Sequence, residues 1–129
     1  ENFPDKNFVP VYWMASEDHD FEEINHANVF GKKVIWNSTQ KGSVGEFSTE
    51  GLQEVIAELK TILGENEKAN EILSVFEKAY LKHSNLADAT RYLVNELFGD
   101  YGIIILDGND SELKQLFKEE FIAIKKRGE

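Results

Sequence analysis

The sequence predicts an α/β fold with three short strands and about four to five helices. Two apolar runs, residues 9–15 and 102–107, each end in acidic side chains, and a third run, residues 33–36, lies between polar residues. Short apolar runs bounded by polar residues are typical of strands. Between the second and third predicted strands, apolar residues recur at helical spacing over long stretches. Strands that alternate with helices in this way indicate an α/β fold.

The first predicted strand, residues 9–15, ends in a polar turn. Because the strand is almost entirely apolar, we expect both of its faces to be buried. Four polar residues follow within five positions: Glu17, Asp18, His19 and Asp20. In open α/β sheets, ligands bind at the carboxyl ends of the strands. The turn is therefore a candidate site, although its acids could instead be solvated or cap the next helix.

A short helix over residues 22–28 and a strand over residues 33–36 are expected next. A loop with several breaker residues follows. Its segment 42–45 lacks the Lys-Ser/Thr of a phosphate-binding loop. Two interpretations remain open for it, namely a turn that needs positive φ and a mobile loop near the site.

Three helices are expected in the middle of the chain. Ser48 or Thr49 is the candidate N-cap of the first helix, and residues 66–81 form the second. Asn85 is the candidate N-cap of the third. The third strand, residues 102–107, ends at Asp107, and Asn109 or Asp110 begins the last helix. The apolar stripe of that helix consists of Leu113, Leu116, Phe117, Phe121 and Ile124.

We expect these elements to form one α/β segment of a longer protein, spanning residues 1–129. Within it, residues 28–50 supply a strand and a loop, residues 51–98 a helical insertion, and residues 99–129 the returning strand and helix. The chain does not begin with Met and opens almost directly into a strand. An unpaired sheet edge would invite pairing between copies, so a homodimer is one expectation.

Composition argues against several classes of function. The formal net charge of −10 would repel nucleic acid on average. No apolar run reaches the roughly 18 residues that a membrane span needs. The chain has no cysteine, which excludes disulfides and a cysteine nucleophile and fits a cytoplasmic protein.

Three blocks of the sequence resemble one enzyme family. Residues 13–26, Trp-Met-Ala-Ser-Glu-Asp-His-Asp-Phe-Glu-Glu-Ile-Asn-His, resemble a signature block of the bacillithiol biosynthesis cysteine-adding enzymes. The likeness continues in order through residues 42–45 and 97–107. It implies a partial Rossmann-like core of the nucleotidyltransferase type, similar to that of class I aminoacyl-tRNA synthetases.

The resemblance also implies a reaction, in which cysteine is joined to glucosaminyl-malate. It implies ATP as a cosubstrate that activates the cysteine carboxylate as an adenylate. Carried over by position, the pocket rim would be formed by Trp13, Ser16, Glu17, Asp18, His19 and Asp20. In this hypothesis, carboxylates hold the amine of the sugar or of cysteine, and His19 orients the substrate or accepts the proton that is released. Asp107 is a further substrate-binding candidate.

Other interpretations of the same residues stay open. Trp13 could be a core residue, Asp20 a helix cap and Asp107 a turn residue. A metal site formed by Asp18, His19, Asp20 and His26 is a weaker alternative, since the spacing matches no known zinc motif, and no metal is predicted. The alternative to an enzyme is a non-catalytic α/β binding or interaction module whose acidic turn recognises an amine or a protein.

Overall fold

The computed structural model describes residues 5–118 and 122, and it confirms the α/β class. In this part of the chain there are five α-helices, four strands and two short 3-10 turns. In chain order the regular elements are β1 (Val11–Met14), α1 (Phe21–Ile24), β2 (His26–Val29), β3 (Lys32–Ile35), α2 (Leu52–Leu63), α3 (Glu67–Lys82), α4 (Leu86–Phe98), β4 (Ile104–Asp107) and α5 (Ser111–Leu116). The 3-10 turns are Val44–Glu46 and Gly99–Tyr101.

Strands β1 and β4 pair in parallel although most of the chain separates them. Their register places Val11 beside Ile104 and Met14 beside Asp107. Helices α2 to α4 form the long connection between them, as a parallel pair requires. Because the strands are parallel, their carboxyl ends meet at one edge, which brings the turn after β1 next to the turn after β4.

The predicted helix over residues 22–28 is wrong beyond its first turn. Helix α1 ends at Ile24, and β2 pairs antiparallel with β3 as a hairpin. Phe30 and Gly31 form its two-residue turn, with φ of 49° and 78°. Positive φ at both positions characterises the turn type that matches the twist of a hairpin. The described chain therefore has four strands in two sheets rather than three strands.

The expectation that β1 is buried on both faces is also wrong. The side chain of Met14 is 3% exposed, whereas that of Trp13 is 51% exposed. Side chains alternate between the faces of a strand, so Val11 and Trp13 share one face with Ile104 of the neighbouring strand. All three are exposed among the described residues. Helix α4 packs against the opposite face, where Arg91 reaches the carbonyl oxygen of Ile105.

The predicted cap of the first long helix is wrong as well. Helix α2 begins after Gly51, which has a φ of 86° and no capping side chain. Thr49 instead donates its hydroxyl to the carbonyl oxygen of His83, and Ser48 forms an isolated bridge with Asn85. These contacts join the segment before α2 to the loop before α4.

The predicted caps Asn85 and Asp110 are confirmed, and Asn66, which was predicted only as the start of its helix, is an N-cap as well. Asn66 and Asn85 each accept a hydrogen bond from the backbone three residues on, at 2.9 Å and 2.8 Å. Asp110 accepts from the N–H of Glu112 at 2.8 Å. The last helix ends at Leu116, and Leu116 is exposed. Phe121 and Ile124 of the predicted stripe lie outside the described residues.

The core lies where the hairpin meets the helices. Its buried cluster consists of Trp36, Val44, Phe47 and Leu52. The indole N–H of Trp36 donates to the carbonyl oxygen of Glu50 at 3.1 Å, and the ring meets Phe21 edge to face at 5.1 Å. Among the helices of the described residues, none is long and apolar enough to cross a membrane.

The two tryptophans give a test of this packing. Replacing Trp36, which is 6% exposed, by Phe removes the bond to Glu50 and leaves that carbonyl without its partner. We expect Trp36→Phe to lower the free energy of unfolding by about 1–3 kcal/mol, measured by urea denaturation. The matched control Trp13→Phe should change it by less than about 0.5 kcal/mol, because that side chain is half exposed. Equal losses in both variants would contradict the core assignment.

Candidate functional site

The turn after β1 is shaped by its own acidic side chains. Asp18 accepts the backbone N–H groups of His19 and Asp20 on one carboxylate oxygen, at 2.6 Å and 3.1 Å. Asp20 is the N-cap of α1 and accepts the N–H of Glu23 at 3.3 Å. The structure thus supports the helix-cap interpretation of Asp20. The second carboxylate oxygen of Asp18 makes no hydrogen bond to the described residues.

Ser16 connects the ends of the two parallel strands. Its side chain is buried, and its hydroxyl donates to a carboxylate oxygen of Asp107. The backbone N–H of Asn109 donates to the same hydroxyl at 3.2 Å and to Asp107 at 2.9 Å. The register of the sheet brings these residues together across 91 positions of sequence.

Asp107 is held from two sides. Oδ1 faces Ser16 and Asn109, while Oδ2 forms an ion pair of 3.5 Å with Arg91 of α4. The side chain of Arg91 is 44% exposed and that of Asp107 is 18% exposed, so solvent weakens the pair. The ion pair therefore orients the carboxylate more than it stabilises the fold.

The loop before α2 packs onto the turn after β1. The N–H groups of Val44 and Gly45 donate to the carbonyl oxygens of Asp18 and Ser16, at 2.7 Å and 2.9 Å. A β-carbon added to Gly45 would lie 2.5 Å from the β-carbon of Ser16. Gly42 has a φ of 112°, as its turn interpretation requires. The loop is therefore both a glycine turn and a neighbour of the candidate site.

Glu17 lies against the turn after β4. A β-carbon added to Gly108 would collide with the Glu17 carboxylate, so the absence of a side chain at Gly108 makes room for that group. Its Oε2 is buried and makes no hydrogen bond to the described residues. A buried carboxylate oxygen without a donor is unfavourable, and a donor from a ligand would remove the penalty.

Two of the predicted residues stand apart from this contact network. The imidazole of His19 is exposed and makes no hydrogen bond to the described residues. Trp13 lies on the open face of the sheet rather than at its carboxyl edge. Ser16 and Asp107 thus come together, Glu17 lies against the neighbouring Gly108, and Asp18 and His19 lie on the adjoining turn.

A polar pocket of about 350 Å³ lies between these strand ends and the start of α4. Ser16 and Asp107, both predicted from sequence, line it together with Glu46 and Asn109. Glu46, Asn109 and Arg91 were not predicted as site residues. Asn109 directly follows the strand-end turn, which is a signal that could have indicated it. Glu46 and Arg91 reach the site only through tertiary packing.

A second concavity lies away from the strand ends. It is an apolar groove of about 300 Å³ between the β2–β3 hairpin and α2 to α4, with Trp36, Phe76 and Tyr80 in its wall. Burial, with a smaller contribution from Tyr12, raises the pKa of the Tyr80 hydroxyl above its usual value of 10.0. Within residues 5–118 and 122, no three His, Asp or Glu side chains are close enough to hold a metal ion.

The fold and the pocket define a class of protein: an α/β domain with a polar site at the carboxyl ends of its parallel strands, where small molecules bind in such folds. Residues 1–127 match the family model described as "Bacillithiol biosynthesis BshC, N-terminal Rossmann-like domain". The chain belongs to the BshC family, and its Rossmann-like character is confirmed.

Curated relatives agree with this assignment, and each is named putative cysteine ligase BshC. The protein of Flavobacterium psychrophilum is 55% identical over 116 residues, which cover 90% of this chain and 22% of the relative. That of Cytophaga hutchinsonii is 46% identical, covering 88% of the chain and 20% of the relative. That of Bacillus cereus strain B4264 is 30% identical, covering 84% and 22%. The chain thus spans about a fifth of the length of these relatives.

The contact between the loop and the turn gives a second prediction. We expect Gly45→Ala to lower the free energy of unfolding by about 1–3 kcal/mol, because the new methyl group would overlap Ser16. Urea denaturation measures the loss. In the matched variant Gly108→Ala, the atoms nearest to the new methyl group belong to the Glu17 carboxylate, which is the flexible end of that side chain, so this variant should cost less than Gly45→Ala. A larger loss in Gly108→Ala would contradict the close approach at Gly45.

Proposed function

We propose that the complete protein containing this domain is a ligase that joins the carboxyl group of cysteine to the amine of glucosaminyl-malate. Family membership is the observation that carries the proposal, since the matching family model is one of bacillithiol biosynthesis. The polar pocket at the strand ends supports it, because that is where α/β folds bind small ligands.

The described side of the pocket suits an amine. Glu46, Asp107 and the start of α4 contribute carboxylates and an asparagine. Glu17, on the neighbouring turn, has a buried carboxylate oxygen without a hydrogen-bond donor among the described residues. An ammonium group offers donors that such oxygens can accept. We infer that Glu17, Asp18 and Ser16 bind the amine of the sugar or of cysteine, with Asp107 holding Ser16 in place.

His19 is the proposed group for proton transfer. An amine that attacks an activated carbonyl must lose a proton, and histidine exchanges protons near neutral pH. Its imidazole projects from the turn beside Asp18, whose bonds to the backbone N–H groups of His19 and Asp20 fix the local geometry. In this proposal Asp20 contributes by capping the start of α1, and Trp13 contributes from the exposed face of β1.

ATP is the proposed cosubstrate that activates the carboxyl group. The described wall of the pocket is rich in carboxylates, with Arg91 paired to Asp107, and so it does not fit a triphosphate. We therefore derive no step through ATP from these residues. The experiment that tests the reaction also tests whether the reaction requires ATP.

The first experiment incubates the complete protein with cysteine and glucosaminyl-malate, with and without ATP. Mass spectrometry follows the amide, and we expect it to form only with ATP. Product without ATP would refute the proposal that ATP is the cosubstrate and would leave the proposed ligase reaction intact. No product from folded protein under either condition would refute the ligase and favour a non-catalytic binding module.

The site assignment predicts two different kinetic defects. We expect His19→Ala to lower kcat by about 100-fold or more, the usual contribution of a general base. Asp18→Asn keeps an oxygen that can accept the N–H groups of His19 and Asp20, so it removes charge with little change of shape. We expect it to raise KM for the amine substrate by about tenfold.

The control for both variants is His26→Ala, because His26 is an exposed histidine in the hairpin, away from the strand ends, and its ring forms a hydrogen bond with its neighbour Asn25. It should keep wild-type kcat and KM. Normal kinetics in His19→Ala and Asp18→Asn would refute these roles while leaving the ligase proposal intact.

A further inference from the structure

Asn109 makes four polar contacts at the strand ends. Its backbone N–H donates to Ser16 and Asp107, as described above. Its side-chain amide donates to Oε1 of Glu46 at 2.9 Å and accepts from the ammonium of Lys114 at 3.1 Å. Asn109 therefore contacts the turn after β1, strand β4, helix α5 and the 3-10 turn Val44–Glu46 at once.

The bond to Glu46 joins two separate parts of the pocket wall. The other hydrogen bonds of the Val44–Glu46 turn to neighbouring segments are donated by the N–H groups of Val44 and Gly45 to the segment after β1, and the side chain of Val44 packs in the buried core. Among the hydrogen bonds of the described residues, the Asn109–Glu46 bond is the one that ties this turn to the segment after β4. The pocket lies between these segments, so this bond limits how far its wall can move.

We propose that Asn109 is a positioning residue for the reaction proposed above, on which this inference rests. By donating to Glu46 it holds the Val44–Glu46 turn over the ends of β1 and β4, and so it sets the width of the pocket that receives the amine substrate. It acts through the turn and does not itself contact the reacting atoms.

Three variants separate this role from the charge of Glu46. Asn109→Asp keeps the backbone bonds and the oxygen that accepts from Lys114, but replaces the donor with an oxygen that repels Glu46. Glu46→Gln removes the charge and keeps an oxygen that Asn109 can donate to. The double variant Asn109→Asp/Glu46→Gln restores a donor and an acceptor with the direction of the bond reversed, at unchanged net charge.

We expect Asn109→Asp to raise KM for the amine substrate about five- to tenfold, with kcat within about twofold, because the pocket wall affects substrate and transition state alike. The double variant should have a KM within about twofold of that of Glu46→Gln, because both variants lack the Glu46 carboxylate and both keep a hydrogen bond between positions 46 and 109. Asn70→Asp, which adds the same charge on the exposed surface of α3, is the matched control and should leave both constants unchanged.

A second readout does not depend on activity. Hydrogen exchange of the Val44 and Gly45 amides in the complete protein should be about five- to tenfold faster in Asn109→Asp and normal in the double variant. If the wild-type protein forms no condensed product from cysteine and glucosaminyl-malate, the ligase proposal fails. The hydrogen-exchange rates of Val44 and Gly45 still decide whether Asn109 holds the turn. Unchanged exchange, unchanged KM in Asn109→Asp, or no rescue in the double variant would each overturn the inference.

Discussion

The parallel pairing of β1 with β4 is the constraint on which the site depends. A parallel pair cannot be joined by a tight turn, so the intervening chain must form a crossover, and here α2, α3 and α4 provide it. The pairing places Met14 beside Asp107, and two residues beyond Met14 lies Ser16. A one-residue slip of β4 would turn Asp107 to the other face of the sheet, away from Arg91 and Ser16, and a slip of β1 would displace Ser16 from Asp107. The register of two four-residue strands thus determines which polar groups meet.

The strand ends are held together chiefly by hydrogen bonds and close backbone contact. Ser16 is the buried polar residue among the described positions, and its hydroxyl is satisfied by Asp107 and by the backbone of Asn109. Gly45 approaches the Ser16 backbone so closely that a larger residue would not fit. A glycine in the loop and a serine after the strand are therefore required by the same contact.

The sequence was sufficient for features that depend on local physics. Asn85 and Asp110 were identified as candidate helix caps because side-chain capping involves only residues two or three positions apart. The hairpin was missed because residues 26–29, His-Ala-Asn-Val, alternate polar and apolar side chains over only four positions and include a single β-branched residue, which is too short a signal to favour a strand over a helix. Its two-residue turn, Phe30-Gly31, gave little indication of a hairpin. Phe30 adopts positive φ there, and phenylalanine rarely takes that conformation. Glu46 and Arg91 could not be placed at the site, because nothing near them in sequence indicates which strand end they reach.

The exposed face of the β1–β4 sheet shows why Trp13 was difficult to interpret from sequence. Parallel sheets are nearly always covered on both faces, so an apolar strand predicts burial on both. Within the described residues, α4 covers only the face that bears Met14, and Val11, Trp13 and Ile104 are left exposed on the other. An apolar run reports that a strand is suited to burial, but the number of layers around it decides which side chains are buried. The same residues would be core in a sheet covered on both faces, so the exposure of Trp13 is a property of the layers around β1 and not of its sequence.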